Sequence, residues 1–97
     1  MTLNGSQKKK LKAMAHSLRP VVMIGQRGLT KEVLLELDHS LERQELIKVR
    51  FLEFKSEKDA ICEQIQNQLS SELVTIIGHV AVFYRKNPDP DKRKIHF

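Results

Sequence analysis

Apolar positions in the first part of the chain recur at helical spacing. Leu11, Met14, Ala15 and Leu18 fall at i, i+3, i+4 and i+7, one stripe of an amphipathic helix over residues 6–18. Lys9, Lys12 and His16 share the opposite face, Ser6 suits the N-cap, and Pro20 sets the end because the residue before proline avoids the helical region. Val21–Ile24 is a short, β-branched run and reads as a buried strand. A loop with glycines at 25 and 28 follows, and Thr30 then caps a helix over residues 30–44 whose apolar stripe is Val33, Leu34, Leu37 and Leu41. Residues 46–52 alternate: Ile47, Val49 and Phe51 point one way, Lys48 and Arg50 the other, which predicts a strand with one polar face. Ile61, Ile65 and Leu69 at i, i+4 and i+8 place a third helix over residues 57–70. The segment LVTIIGHVAVFYRK reads as two strands joined tightly at Gly78-His79. The tail NPDPDKRKIHF carries two prolines and mixed charge, so residues 89–97 are expected to be extended or mobile.

The order is α-β-α-β-α-β-β. Strand–helix–strand units imply parallel neighbours joined by right-handed crossovers, and the closing hairpin adds an antiparallel strand. The expectation is a single α/β domain of the α+β, two-layer type over residues 1–97. It has a mixed four-stranded sheet, an extra N-terminal helix and a core of about 6–88.

Charge changes this picture by its placement. The formal net charge is +5, yet residues 1–28 hold Lys8, Lys9, Lys10, Lys12, Arg19 and Arg27 with no acid at all. The helix at 30–44 is acidic, with Glu32, Glu36, Asp38 and Glu42, and basic residues gather again after position 76. A basic first segment directs attention to polyanionic partners. No apolar run approaches the roughly 20 residues of a membrane span, and the N-terminus lacks the apolar stretch of a secretory signal. The expectations are therefore no membrane partner and a cytoplasmic location.

Catalytic patterns are absent from the residues. The histidines (His16, His39, His79, His96) are scattered, so no metal site is expected, and Cys62 stands alone in a helical pattern, where it reads as a packing residue. The carboxylates of the acidic helix read as a solvated face rather than an acid–base pair. There is no G-x-S-x-G elbow, no Walker A loop and no dinucleotide fingerprint. A cofactor-free, non-catalytic protein is expected.

The segment Gly25-Gln26-Arg27-Gly28 is left as a binding loop. Its glycines let a sugar-phosphate chain approach the main chain, the helix that follows offers unpaired N–H groups and a positive dipole end, and Arg27 can fork onto a phosphate. Gln26 adds an amide. With Lys31 just beyond it and Lys8, Lys9, Lys12, His16 and Arg19 before it, the loop is the expected centre of a phosphate-binding surface. This surface would extend over the first helix if that helix packs near strand 21–24. Aromatic support is thin. Phe51, Phe54, Phe83 and Tyr84 fall in or near strand patterns that suit the core, with Tyr84 beside Arg85 and Lys86 a weaker candidate for stacking a base.

The stretch LKAMAHSLRPVVMIGQRGLTKEVLLELDHSLERQELIKVRF resembles the CRM domain (chloroplast RNA splicing and ribosome maturation) in its bacterial stand-alone, YhbY-like form. The resemblance is carried by Leu18, Pro20, Val21, Val22, Ile24, Gly25, Gly28, Leu29 and Thr30, by Glu45 to Val49, and by the later VTIIGHVAVFYRKNP. It covers about residues 6–88. It implies a core like the C-terminal domain of bacterial translation initiation factor three, β-α-β-α-β-β in two layers with its sheet ordered 1-2-4-3. It also implies RNA binding through the loop Gly25–Gly28 and association with precursors of the large ribosomal subunit. The two positions between the glycines are not fixed in that pattern, so the resemblance assigns no base-reading role to Gln26 or Arg27. A monomer that binds RNA on pre-ribosomal particles is expected. The alternative is a protein–protein adaptor docking through the acidic helix 30–45.

Overall fold

The computed structural model describes residues 2–97. Its first helix, α1 (Gly5–Ala15), starts earlier than the periodicity suggests. Asn4, not Ser6, is the N-cap: its side chain accepts from the Gln7 amide at 2.8 Å, and the Gln7 side chain accepts from the Asn4 amide at 3.1 Å. This reciprocal pair satisfies two of the helix's orphan donors. The helix also stops short of Pro20. Its last turn tightens, with the Leu18 amide on the Ala15 carbonyl at 3.0 Å and the Ser17 hydroxyl on the Met14 carbonyl at 3.1 Å.

There follow β1 (Pro20–Ile24), α2 (Lys31–Gln44), β2 (Leu46–Phe51), a 3-10 turn (Lys55–Glu57) leading into α3 (Lys58–Leu69), then β3 (Glu72–Ile77), β4 (Val80–Tyr84) and a second 3-10 turn (Pro90–Lys92) in the tail. Thr30 caps α2 as expected, its hydroxyl oxygen 3.1 Å from the Val33 amide. The hairpin turns at Gly78-His79, where Gly78 takes φ 59°. The strands form one sheet in the order β1-β2-β4-β3, with β1 parallel to β2 and β4 antiparallel to both its neighbours. Both crossovers, β1–α2–β2 and β2–α3–β3, run in the same sense across the sheet, so right-handedness lays α2 and α3 on one face. There Val22, Ile24, Ile47, Val49, Phe51, Ala81 and Phe83 meet Leu37, Leu41, Cys62 and Ile65 in the main core. The alternation read in β2 is the register observed.

The extra helix takes the other face. Leu11 and Ala15, one turn apart, pack on Leu46, Val74, Val82 and Tyr84. The helix therefore lies over β2, β4 and β3 and not against β1, contrary to the expected placement. Met14 was expected in the buried stripe and is 37% exposed, because the contact is narrow enough for Leu11 and Ala15 to fill it. Truncating the fully buried Leu11 to alanine should cost roughly 2–5 kcal/mol.

The tail differs most from the expectation of an extended or mobile end. It is docked. Ile95 is buried in the second core beside Leu3 and Tyr84, and Phe97 meets the Tyr84 ring edge-on at 5.8 Å. Its anchor is Glu45, which is fully buried just after α2 with φ 63°. The Glu45 carboxylate accepts from the amides of Asn87 (2.8 Å), Lys94 (2.7 Å) and Ile95 (3.0 Å), and its carbonyl accepts from the Arg85 amide at 2.8 Å. Burial alone would raise its pKa, but the three amides and the Arg93 charge outweigh it and hold the carboxyl below its ordinary value.

Candidate nucleic-acid interface

Parallel strands bring their C-terminal ends to the same side of a sheet, and the connections that leave them must meet there. The loop after β1, the loop after β2 and the β3–β4 turn converge at this end. The amides of Leu52 and Glu53 both donate to the Ile24 carbonyl, at 2.9 and 3.2 Å, and the Phe51 amide donates to the His79 carbonyl at 2.8 Å.

The loop Gly25–Gly28 is a tight turn closed by the Gly28 amide on the Gly25 carbonyl at 3.0 Å. Gln26 and Arg27 form its exposed tip, with no side-chain hydrogen bond or ion pair among the described residues. The two glycines differ. Gly28 is buried with φ 68°, and a Cβ there would stand 3.4 Å from Phe54 Cε2. Gly25 lacks positive φ, and a Cβ there would meet nothing within 4 Å. The fold therefore requires glycine at 28 and leaves position 25 open on its outer side. Beyond the turn, Lys31 is exposed as the first residue of α2, and the positive end of that helix faces the loop.

Facing the loop across a groove of about 630 Å³ is the β2–α3 connection, which lines it with Leu52, Phe54 and Lys55 as well as Glu53 and Glu57. Phe54, expected in the core, is 40% exposed and sits over Gly28 in a left-handed conformation (φ 56°). Lys58 reaches from the start of α3 to the Gly78 carbonyl at 2.7 Å, with its Nζ 3.4 Å from His79 Nδ1. Desolvation and the charges of Lys58, Lys55 and Arg50 lower the His79 pKa. Arg50, Lys55 and Lys58 thus form a cationic group around His79, whose imidazole they hold toward its neutral form, and none of the four belongs to the site expected from the sequence. The alternation that put Arg50 on a polar face was visible; the convergence of three connections was not.

The remaining expected residues are distributed by α1. Lys12 and His16 line a small cleft with Lys48, Thr75, Ile77 and Val82, on the flank of the helix turned toward the loop end. Lys8 is half-buried one turn earlier, and Lys9 is exposed on the outer side. Arg19 is exposed but lies just before β1, about 20 Å from the loop at the strand's other end. The structure brings Gly25, Gln26, Arg27, Gly28 and Lys31 together, sets Lys12 and His16 on the adjoining face, and leaves Arg19 apart. Tyr84 is buried under Phe97 and offers no ring face to a base. Cys62 is fully buried, its thiol pushed up to about 11 by burial and by Asp59.

Comparison with known proteins agrees with this architecture. The chain is 42% identical over 93 residues to "Probable RNA-binding protein PA4753" of Pseudomonas aeruginosa, covering 95% of this chain and 89% of that one. It is also 42% identical over 89 residues to a Haemophilus influenzae protein named "RNA-binding protein", covering 91% and 90%. The solution structure of the Staphylococcus aureus protein SAV1595 superposes with a TM-score of 0.80 at 32% identity, covering 98% of this chain and all of that one. The family model described as the CRS1 / YhbY (CRM) domain matches residues 3–85, and with the helix-flanked mixed sheet and its glycine-bounded loop in place, the chain belongs to the CRS1/YhbY (CRM) domain family.

Proposed function

We propose that this protein is a non-catalytic RNA-binding protein that holds RNA backbone in the loop Gly25–Gly28 and assists assembly of the large ribosomal subunit in the cytoplasm, acting as a monomer. The observation that carries the reading is the contrast between the two glycines. Nothing inside the fold demands glycine at 25, and the space beside it is open, next to an unpartnered arginine and a helix N-terminus. Main-chain amides so exposed suit phosphate oxygens. Arg27 and Lys31 supply charge at the loop, and Lys8, Lys9, Lys12 and His16 extend it over α1. Contacts of this kind position RNA and carry little sequence information. The names of the relatives support RNA as the partner, and the family resemblance supports the pre-ribosomal setting.

Binding to protein-free ribosomal RNA tests the reading. Arg27→Ala should weaken it by on the order of 1–2 kcal/mol across many sequences, as one charge-assisted hydrogen bond is lost. Unchanged affinity would remove Arg27 from the site. One observation favours a second reading: Leu35 is 59% exposed on the outer face of α2, between Glu32 and Glu36, as an adaptor docking through that helix would require. An adaptor would need a protein partner before it joined the particle, and Leu35→Ser would abolish its association while sparing affinity for naked RNA.

A further inference from the structure

Helix α1 covers only half of its face of the sheet. It enters beside the β3 edge, where the Leu3 amide donates to the Glu72 carboxylate at 2.9 Å, and leaves toward the start of β1, where Lys48 Nζ donates to the Leu18 carbonyl at 3.1 Å. The half it covers holds Leu46, Val74, Val82 and Tyr84. The next row is open. Met23 pairs with Arg50, Arg50 with Val80, and Val80 with Ile77, so these four side chains cross all four strands in register.

Met23 is 48% exposed and Ile77 62%. With Leu52 and Phe54, they place four of the seven exposed large apolar side chains of the described residues at this end of the molecule. Such clustering marks an interaction surface. Its frame is cationic: Arg50 stands in the middle with no hydrogen-bond or ion-pair partner among the described residues, Lys12, His16 and Lys48 border it on one side, and the loop with Arg27 lies beyond it. The row itself contains no carboxylate.

We infer that the open row Met23–Arg50–Val80–Ile77 receives the unpaired bases of a single-stranded RNA segment, whose backbone runs between the loop Gly25–Gly28 and the Lys12/His16 flank of α1. The inference rests on the proposed RNA-binding role and narrows it to single strands. An apolar floor inside a basic frame matches a strand that shows base faces and phosphates together. A duplex hides its base faces and would gain nothing from Met23 or Ile77. Arg50 can lay its guanidinium plane on a base. The row spans three inter-strand spacings, about 14 Å, a width over which four-stranded sheets of another kind seat about two or three bases.

The test compares a short single-stranded RNA of mixed sequence with the same RNA annealed to its complement, using the full chain. The double variant Met23→Ser/Ile77→Ser should bind the single strand about tenfold more weakly, with its duplex affinity and salt slope unchanged. Arg50→Gln, a second variant on the same row, should weaken the single strand more than the duplex, as the stacked guanidinium is lost. The inference is overturned if both variants bind the single strand like the parent, or lose affinity equally for both probes. Intact RNA affinity with lost association with pre-ribosomal particles would also overturn it, assigning the row to a protein. If Arg27→Ala weakens binding while the row variants do not, this inference alone fails. If the parent protein binds neither probe, the RNA-binding reading fails with it.

Discussion

Replacing Gly25 and Gly28 separately by alanine should separate folding from RNA binding. At Gly28 the backbone has φ 68°, a region that costs an L-residue roughly 1–2 kcal/mol. The new methyl would also stand 3.4 Å from Phe54 Cε2, a contact a partly exposed ring can yield to. Gly28→Ala should therefore lose about 1–2 kcal/mol of stability, mostly from the backbone. For a domain of this size that lowers the melting midpoint by roughly 4–16 °C. At Gly25 the backbone lacks positive φ and the methyl meets nothing. Gly25→Ala should then melt at or slightly above the parent temperature, because alanine restricts the unfolded chain by about 0.4–1 kcal/mol relative to glycine. Its methyl would, however, stand where the proposed RNA contact brings a phosphate to the main chain. Losing one charge-assisted amide contact there would weaken RNA binding by about 1.5–3 kcal/mol, or roughly 10- to 150-fold. Thermal melting by circular dichroism and equilibrium binding to a labelled RNA read the two effects independently. A Gly25→Ala protein that is stable and binds RNA like the parent would rule out a main-chain grip on RNA at this glycine.

Further outcomes follow from the charges and the buried groups. If about five phosphates are neutralised, the logarithm of affinity for single-stranded RNA should fall against that of salt with a slope of roughly −3.5; a flat dependence would count against a backbone grip. Glu45 has a folded pKa below its ordinary value of 4.5, so the stability it adds is present above pH 4.5 and is lost as pH falls through the folded value. Glu45→Gln should therefore melt well below the parent at pH 7, by about 3 kcal/mol if two of its charged hydrogen bonds are lost. The gap should narrow below pH 4.5, and a gap that persists in acid would show that shape, not charge, holds the tail. Cys62, buried with its thiol pushed up to about 11, should resist alkylation at pH 8 in the native protein and react once the chain is unfolded.

What the sequence disclosed were the features encoded within a few residues. The alternation of β2, the Leu37/Leu41 stripe of α2, the Thr30 cap and the turn at Gly78-His79 each rest on local spacing, and each is found as read. The loop Gly25–Gly28 was legible as an exposed junction for the same reason. What stayed hidden depends on partners far apart in the chain. Glu45 anchors amides 42, 49 and 50 residues away, so residues 89–97 looked unanchored. Arg50 was visibly on a polar face, but only the path of α1 over the sheet decides that Lys48 is half-covered and Arg50 open. The asymmetry between Gly25 and Gly28 is a matter of one φ angle and one phenylalanine ring, neither written in a G-x-x-G spacing. Phe54 looked like core because its neighbours are strand-like, whereas its left-handed backbone turns it outward over the loop.

The most direct measurement of the central claim follows the backbone amide resonances of the protein as a short single-stranded RNA is added. The largest shifts should fall on Gly25 through Lys31, with the edge of α1 and the open sheet row next. Shifts confined to the outer face of α2, with the loop amides unmoved at saturation, would contradict it.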